Sequence, residues 1–253
     1  MPNGDASYWN LINEKFDTIT DGLIERVDEI GDGRSTPALE DIKIGSGRKM
    51  RAATLFFDIK GFTKRTNSAD IDKLKESLFL LNCVIPMVMK IIYDFGGYIE
   101  KNTGDGIMAI MGAEDSDSDS ANNAIDSALA IFYTLKHLVN PYLESKNITK
   151  VDARIGIDLG TLLISRIGLP TGTSKHKRNF LTAVGPSSNL ACKIEGMAGT
   201  NEIWTGDLIK SNSRENIQQH FVKKTPTDWT WSYNTSNKIY DIWYFNAVRT
   251  EPK

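Results

Sequence analysis

The feature that most constrains the fold is an apolar, β-prone run that ends at an acidic residue. Residues 52–57 read Ala-Ala-Thr-Leu-Phe-Phe, and Asp58 follows them directly. A short continuous apolar run of this kind predicts a buried strand. Gly61 and Thr63 come next, and a turn of this composition offers backbone N–H groups to a polyphosphate. The sequence therefore predicts a buried strand that ends at a carboxylate.

Long amphipathic helices alternate with the predicted strands. Residues 68–94 carry aliphatic side chains on one face, with Pro86 as a kink, and residues 121–143 predict a second long helix. Residues 8–31 have apolar side chains at spacings of three and four, which predicts an N-terminal amphipathic helix. This first helix either packs on its own domain or forms a coiled-coil-like seam between two chains.

A hairpin with an acid at its tip is predicted after the long helix. Residues 98–101 and 107–111 have strand character, and residues 102–106 between them read Asn-Thr-Gly-Asp-Gly. That connection has strong turn chemistry. Asp105 is therefore expected at the tip of the hairpin.

The remaining chain continues the alternation. A second hairpin is predicted over residues 151–167, with its turn at Gly160. Beyond it we expect a strand at 180–184, a helix at 186–195, a short strand at 203–205 and a closing strand at 239–248. The pattern predicts an α+β fold, with one antiparallel-rich sheet covered by helices. We divide the chain into an N-terminal helix and connector, residues 1–50, and one enzyme-sized domain, residues 51–253.

Composition narrows the classes of function. A formal net charge of −2 over 253 residues gives no overall attraction to nucleic acid or acidic lipid. A small phosphorylated ligand held by local lysines and arginines fits better than DNA. Cys83 and Cys192 both fall in partly apolar segments that read as helix, which favours a reduced, cytoplasmic location. No basic, apolar leader begins the chain, and we expect no membrane span.

Two aspartates are candidate metal ligands. Asp58 at a strand end and Asp105 at a hairpin tip converge if their strands are neighbours in the sheet. Mg²⁺ binds through one or two carboxylates together with substrate phosphates. A single aspartate in a turn more often caps a helix or turn, so only the pair in this context favours metal-dependent phosphoryl transfer.

Four sequence blocks occur in a fixed order within residues 51–246. They are Phe-Phe-Asp-Ile-Lys-Gly-Phe-Thr at 56–63, Glu-Lys-Asn-Thr-Gly-Asp-Gly-Ile-Met-Ala at 100–109, Arg-Ile-Gly-Ile-Asp-Leu-Gly at 154–160 and Val-Gly-Pro-Ser-Ser-Asn-Leu-Ala at 184–191. Together they resemble the catalytic domain of the class III adenylate and guanylate cyclases. The resemblance implies a ferredoxin-like α+β domain that converts a nucleoside triphosphate into a cyclic mononucleotide and pyrophosphate.

The same resemblance implies a set of metal ligands. Asp58 and Asp105 would hold two divalent ions, Mg²⁺ or Mn²⁺, with the backbone carbonyl of Ile59 as a further ligand. One ion would activate the ribose 3′-hydroxyl, and the other would hold the triphosphate. Phe62 and Thr63, in the same block, would contact the substrate. Because the family's sites lie between two domains, the chain is implied to act as a homodimer.

Further positions are implied to contact the base and the ribose. Lys101 and Thr182 would read the base, and Asn189 would orient the ribose. Each site would take its metal ligands from one protomer and its base-reading residues from the other. Lys101 and Asp105 of one chain would therefore serve opposite sites.

The phosphate contacts depart from the family pattern. The transition-state arginine is replaced here by Lys193, which supplies positive charge to the α-phosphoryl group without the bidentate fork of arginine. We therefore expect a slower or differently aligned reaction. Lys238 matches the family's C-terminal phosphate lysine. The loop at residues 169–178 is longer than the usual connection, and either Lys177 or Arg178 in it would reach the phosphates.

An aromatic cluster precedes the predicted closing strand. Trp229, Trp231 and Tyr233 lie within a few residues of one another. We interpret them as an extension of the sheet at the surface or as a dimer contact, with stacking on a nucleotide base as the alternative.

Two observations favour different substrates. The pair Lys101 and Thr182 is similar to the family's adenine-reading pair and favours ATP over GTP. The short stand-alone chain, its hairpin at 100–106 and Lys193 are similar to the bacterial pyrimidine cyclases of antiphage systems, which make cyclic UMP or cyclic CMP for a partner effector protein. On whole-chain resemblance we favour UTP, with cyclic AMP or cyclic CMP as alternative products. A catalytically inactive, nucleotide-sensing dimer is the non-enzyme alternative.

Overall fold

The computed structural model describes residues 10, 14, 16–18, 20–33, 41–67, 69–113, 115–169 and 179–248. The chain forms two compact units. The smaller comprises Met1–Met50 with Leu163–Val184, and the larger comprises Arg51–Leu162 with Gly185–Lys253. Each is described by itself below. The predicted division at residue 50 stays a prediction.

The smaller unit is built on the ends of two long strands. Its elements are α1 (Leu23–Asp28), β1 (Gly31–Asp32), the start of β2 (Gly47–Ile59), the end of β5 (Ala153–Gly168) and β6 (Asn179–Val184). Strand β1 runs parallel to β2, and β6 runs antiparallel to β5. Arg166 ties the unit together, because its guanidinium donates to the Ile42 carbonyl and to Asn179 Oδ1 at 3.1 and 3.0 Å.

The predicted N-terminal helix over residues 8–31 is wrong as one unbroken element. The described residues between 10 and 20 are helical, but Asp21 and Gly22 form a turn before α1, which ends at Asp28. Gly22 has φ +60°, a left-handed conformation that favours glycine and interrupts a right-handed helix. The predicted connector at 32–50 also contains the first residues of β2.

The larger unit contains a mixed, antiparallel-rich sheet. Its strand order is β3 (Gly97–Asn102), β4 (Gly106–Met111), β2, β5, β7 (Glu202–Gly206), β9 (Ile242–Phe245) and β8 (Phe221–Lys224). Of the pairs whose register is defined, β5–β7 is parallel, and β2–β4, β3–β4, β7–β9 and β8–β9 are antiparallel. The predicted α+β fold class is confirmed.

Helices cover this sheet. They are α2 (Phe62–Arg65), α3 (Ile71–Asp94), α4 (Asp117–Thr134), a π-helical turn (Leu135–Val139), α5 (Asn140–Ser145), α6 (Pro186–Met197), α7 (Asp207–Asn212) and α8 (Glu215–Gln218). The core contains fully buried large side chains from strands and helices alike, among them Leu55, Phe57, Leu80, Ile92, Ile125 and Ile131. Burial of these apolar surfaces is the main force that holds helices and sheet together.

Helix α4 begins earlier than predicted, at Asp117 rather than near residue 121. Ser116 is its N-cap, and its hydroxyl accepts the Asp119 N–H at 3.1 Å. Asp117 and Asp119 then place negative charge in the first turn, where the helix dipole favours it. These two acidic residues before position 121 thus belong to the first turn of the helix.

By length and composition, α3 is the one helix in the described part of the chain that could cross a membrane. Its inner face supplies core residues, including Leu80, Val84, Val88 and Ile92. A core helix passes the same test of length and hydropathy, so the evidence for a membrane span is weak.

The predicted hairpin at Gly160 is wrong, because β5 is one continuous strand from Ala153 to Gly168. A Cβ at Gly160 would lie 3.2 Å from Ser187 Cβ, and one at Gly156 would lie 2.3 Å from the Glu195 nitrogen. These glycines therefore allow α6 to pack closely on the strand, and they do not mark a turn. Elements α7, α8 and β8 were not predicted, and the closing strand is shorter than expected.

Candidate active site

The two predicted metal aspartates meet at one end of the β2–β4 ladder. Asp58 is opposite Gly106 in the antiparallel register, and Asp105 is the residue before Gly106. The Ile59 N–H donates to the Asp105 carbonyl at 3.1 Å. The structure thus brings Asp58, Ile59 and Asp105 together at one place in the larger unit.

The hairpin tip is shaped by local turn chemistry. Gly104 has φ +103°, and its N–H donates to Asn102 Oδ1 at 2.8 Å. The Thr103 N–H closes the turn on the Gly106 carbonyl at 2.9 Å. Because glycine adopts positive φ without steric cost, the sequence Asn-Thr-Gly-Asp-Gly holds Asp105 beside the end of β2.

Two site residues, Arg154 of β5 and Glu195 of α6, were not predicted from the sequence. Arg154 Nε and Nη2 donate to Asp58 Oδ2 at 3.1 and 3.0 Å, and its Nη1 donates to the Gly196 carbonyl at 3.0 Å. Nε also lies 2.5 Å from Glu195 Oε1. The signal was available, since Arg154 opens the third block, but its partners are remote in sequence.

Asp58 and Glu195 contact the Arg154 guanidinium, and Asp105 lies near enough to interact with it through its charge. Burial raises the pKa of Asp105, the Asp58 charge raises it further, and Arg154 partly opposes the shift. Burial raises the pKa of Glu195 to about 7, with Arg154 opposing and with Asp58 and Asp105 adding to the rise. The charges of Asp58 and Asp105 repel each other, and a cation bound between them would relieve that repulsion.

The donor set suits a hard divalent ion. Two carboxylates and a backbone carbonyl are oxygen ligands of the type that Mg²⁺ and Mn²⁺ prefer. No group of three or more histidine, cysteine or acidic side chains forms a closed metal cage among the described residues. A site with few protein ligands leaves coordination positions for substrate phosphates, so the family's metal ions fit these residues.

The segment after Asp58 forms a short turn of helix. Gly61 precedes α2 with φ +73°, in the left-handed region. Phe62 packs partly against the core, and Thr63 is exposed in the first turn. The Lys60 N–H donates to the Asp152 carbonyl at 2.8 Å, which anchors this loop.

Asn189 and Lys193 lie one turn apart on α6, and both are exposed. Lys193 Nζ lies 5.2 Å from the centroid of the Trp231 ring, a cation–π contact. Trp231 is held in place because its carbonyl accepts the Tyr240 N–H at 2.8 Å. The aromatic segment thus contacts the lysine at the predicted transition-state position.

The other predicted contacts belong to different elements of the chain. Lys101 follows a bulge in β3, is exposed, and lies 3.5 Å from Glu100 Oε2. Lys238 is exposed, and its carbonyl accepts the Tyr233 N–H at 2.8 Å. Thr182 belongs to the smaller unit, where it pairs with Ser165 in the β5–β6 ladder. Lys177 and Arg178 lie outside the described residues.

A second polar cluster, also missed from the sequence, is fully enclosed. Tyr240 Oη donates to Asp158 Oδ1 at 2.5 Å and accepts the Leu208 N–H at 3.2 Å. Burial raises the pKa of Asp158 to about 8. Nearby, Asp207 accepts from Tyr233 Oη at 2.7 Å and from Trp243 Nε1 at 3.0 Å.

Comparison with known proteins places the chain among nucleotide cyclases. The profile of the adenylate and guanylate cyclase catalytic domain matches residues 45–224. The chain is 30% identical over 160 residues to the cytidylate cyclase of Staphylococcus aureus, covering 62% of this chain and 36% of that protein. It is 28% identical over 185 residues to the uridylate cyclase of Burkholderia cepacia, covering 71% of this chain and 75% of that protein.

The fold comparison agrees. The crystal structure of the adenylyl cyclase CyaB from P. aeruginosa superposes with a TM-score of 0.63 at 21% identity, covering 82% of this chain and 100% of that one. The chain spans about a third of the length of the first curated relative. The resemblance to class III cyclases, and within them to pyrimidine cyclases, is confirmed. Because the family profile covers most of its length, the chain belongs to the adenylate and guanylate cyclase catalytic domain family.

Proposed function

We propose that this chain is a nucleotidyl cyclase that converts a nucleoside triphosphate into a 3′,5′-cyclic mononucleotide and pyrophosphate. The observation that carries the proposal is the meeting of Asp58 and Asp105 at one end of the β2–β4 ladder. In the reaction the ribose 3′-oxygen forms a bond to the α-phosphorus, and the bond to the bridging oxygen of pyrophosphate breaks. The 3′-hydroxyl proton is lost to solvent or to a phosphate oxygen.

Two divalent ions, Mg²⁺ or Mn²⁺, would be held by Asp58, Asp105 and the Ile59 carbonyl. When bound, such ions make the 3′-hydroxyl easier to deprotonate and neutralise the triphosphate. Arg154 orients Asp58 beforehand. Both of its hydrogen bonds to this carboxylate go to Oδ2, which leaves Oδ1 outside the Arg154 contact for a ligand.

The remaining predicted residues act on the substrate itself. Asn189 would orient the ribose, and Lys193 would place positive charge near the α-phosphoryl group. Phe62 and Thr63 lie on the turn after the metal ligands and would border the triphosphate. Lys238, with Lys177 or Arg178, would complete the phosphate contacts.

We propose a homodimer in which each site is shared. Lys101 and Thr182 of one protomer would read the base of a nucleotide whose phosphates are held by the metal ions of its partner. Two inactive variants then complement each other: a mixture of Asp105→Ala and Lys101→Ala restores about a quarter of the activity, because mixed dimers keep one intact site. No recovery on mixing would contradict the shared site.

UTP is the proposed substrate, and cyclic UMP the proposed product. The support is likeness, over 71 and 62% of this chain, to proteins named uridylate and cytidylate cyclase at 28 and 30% identity. The pair Lys101 and Thr182 supports ATP as the second candidate. As in the antiphage systems of similar pyrimidine cyclases, the product would be the signal for an effector protein in the cytoplasm.

The test supplies each of the four ribonucleoside triphosphates with Mg²⁺ or Mn²⁺ and identifies products by mass. We expect cyclic UMP, and its loss in Asp58→Asn. Asp72→Asn is a matched control, since Asp72 lies on α3 and forms an exposed pair with Lys75 at 3.1 Å. If product formed only from ATP, the uridylate cyclase assignment would be wrong and an adenylate cyclase would replace it. Binding of a nucleotide without any turnover would support the inactive sensor, which the two carboxylates and Asn189 disfavour.

A further inference from the structure

A cavity of about 630 Å³ lies in the larger unit, apart from the residues assigned to cyclisation. Its walls come from the end of α4, the π-helical turn, α5, β7, β9 and the residues after β9. Neither Asp58, Asp105, Asn189 nor Lys193 borders it. The volume falls in the range of small-molecule sites, which is roughly 300–1,000 Å³.

Aromatic rings form one side of the cavity. The Tyr133 and His137 ring centroids are 4.5 Å apart with planes inclined by 32°, and Phe132, Tyr244 and Phe245 also border the space. His137 belongs to the π-helical turn at Leu135–Val139. Single π-helical turns inside α-helices occur frequently at functional sites. These faces suit a flat ring, which would stack or pack edge-on.

Positive charge lies at the rim. Lys136 and Lys150 border the cavity and are exposed, and neither forms a salt bridge within the described part of the chain. Two carboxylates also border it. These are Glu144 and Asp152, and Asp152 accepts from Asn201 Nδ2 at 2.7 Å. Because neither lysine is paired with them, both ammonium groups are available to an acid group on the ligand.

The cavity wall is hydrogen-bonded to the loop that follows the metal aspartate. The Asp152 carbonyl accepts the Lys60 N–H at 2.8 Å, and Lys60 comes directly after Ile59. Asn201 Oδ1 accepts the Ala153 N–H at 3.1 Å, next to Arg154. A ligand that moves Asp152 or Asn201 would thus act on both backbone segments that position Asp58.

We propose that this cavity is a regulatory site for a small planar aromatic anion. The ring would pack against Tyr133 and His137, and the acid group would bind Lys136 and Lys150. Occupancy would be transmitted through the Asp152–Lys60 hydrogen bond to the Asp58 loop. Binding is independent of the cyclase assignment, whereas the effect on turnover rests on the proposed function.

Binding is tested with 1-anilinonaphthalene-8-sulfonate, an aromatic anion whose fluorescence rises in an apolar site. We expect one site on the wild type and at least about tenfold weaker binding in the double variant Lys136→Glu/Lys150→Glu. Both substitutions are at exposed positions, so the fold should persist. Lys146→Glu is the matched control, since Lys146 ends α5 and stacks on Tyr142 but does not border the cavity. Equal affinity in the double variant and the wild type would overturn the proposal.

Transmission is tested by hydrogen exchange at the Lys60 amide, which needs no turnover. The probe should slow exchange there at least about threefold in the wild type and leave it unchanged in the double variant. Unchanged exchange in the wild type at saturating probe would refute the coupling. Turnover in the presence of probe is measured in parallel. If the protein is inactive but still shows the exchange effect, the cyclase assignment is refuted, and the proposed regulatory site is supported.

Discussion

The larger unit holds two clusters of carboxylates that differ in how their charge is compensated. In the first, Asp58 and Glu195 flank the Arg154 guanidinium, and the side chains of Arg154 and Asp58 remain 27 and 26% exposed. In the second, Asp158 is fully enclosed, and its side-chain partner is the neutral hydroxyl of Tyr240. In the first cluster a positively charged group near solvent pairs with the acids, and in the second a neutral hydroxyl inside the core donates to the acid.

Because of this difference, the Asp58 cluster can bind and release ligands, whereas the Asp158 cluster stabilises the fold. A partly exposed ion pair can open to admit a metal ion or a phosphate at modest cost. A buried carboxyl that gives up its only side-chain donor has no water to replace it, and that loss is expensive. The position of each aspartate at a strand end or within a strand thus decides its role.

The largest expected effect tests the first cluster. Asp58→Asn or Asp105→Asn should reduce turnover by more than about 100-fold, because each change removes a direct metal ligand. Thermal unfolding should stay within a few degrees, since the amide keeps the shape and an oxygen acceptor for Arg154, and relief of repulsion among the acids offsets the lost charge of the Asp58–Arg154 pair. Turnover assays and melting curves on the same preparations provide the measurement. A large fall in melting temperature would show that this cluster is structural as well.

The second cluster is tested by adding a methyl group. A Cβ at Gly206 would lie 1.9 Å from Asp158 Oδ1 and 2.7 Å from Tyr240 Oη. Gly206→Ala should therefore cost about 3 kcal/mol or more of unfolding free energy, measured by urea denaturation. Gly196→Ala is the matched control, because a Cβ there meets nothing within 4 Å. Equal stability of the two variants would mean that the Asp158 enclosure is loose.

The two clusters were not equally predictable from the sequence. The meeting of Asp58 and Asp105 at one end of the β2–β4 ladder was predictable, because an apolar run and an Asn-Thr-Gly-Asp-Gly turn are local signals. The contacts of Arg154 with Asp58 and of Tyr240 with Asp158 join residues 96 and 82 positions apart. No short-range pattern encodes such pairs, since they arise only when strands from distant parts of the chain become neighbours.

The hairpin predicted at Gly160 is wrong because glycine has more than one structural role in a strand. A glycine in a run of apolar residues signals a turn, a bulge or a close approach, and the sequence does not separate these cases. At Gly160 the sequence predicts a turn, whereas the structure shows close packing of α6 on one long strand. At Gly104, where φ is +103°, the turn interpretation was correct.

The contrast also predicts a dependence of stability on pH. The pKa of Asp158 rises from 3.8 to about 8 on folding, so the folded state binds more protons than the unfolded chain between these values. The unfolding free energy should therefore fall as the pH rises from about 5 to 8, by up to about 1.4 kcal/mol per unit. Glu195, with its pKa at about 7, adds a change of the same sign. Asp158→Asn, which keeps an acceptor for Tyr240, should flatten the profile in urea denaturation, and Asp72→Asn should not.

The smallest expected effect concerns the contact between Lys193 of α6 and Trp231. The ring holds the ammonium 5.2 Å from its centroid, and a partly exposed cation–π contact contributes about 0.5–1 kcal/mol. Trp231→Leu should therefore lower kcat about two- to fivefold with little change in KM, because Lys193 is less well oriented toward the α-phosphoryl group, while Trp231→Phe should recover part of the loss. On a Lys193→Met background the Trp231 change should have no further effect on kcat. An equal loss on both backgrounds would mean that Trp231 supports the fold of α6 and does not position the lysine.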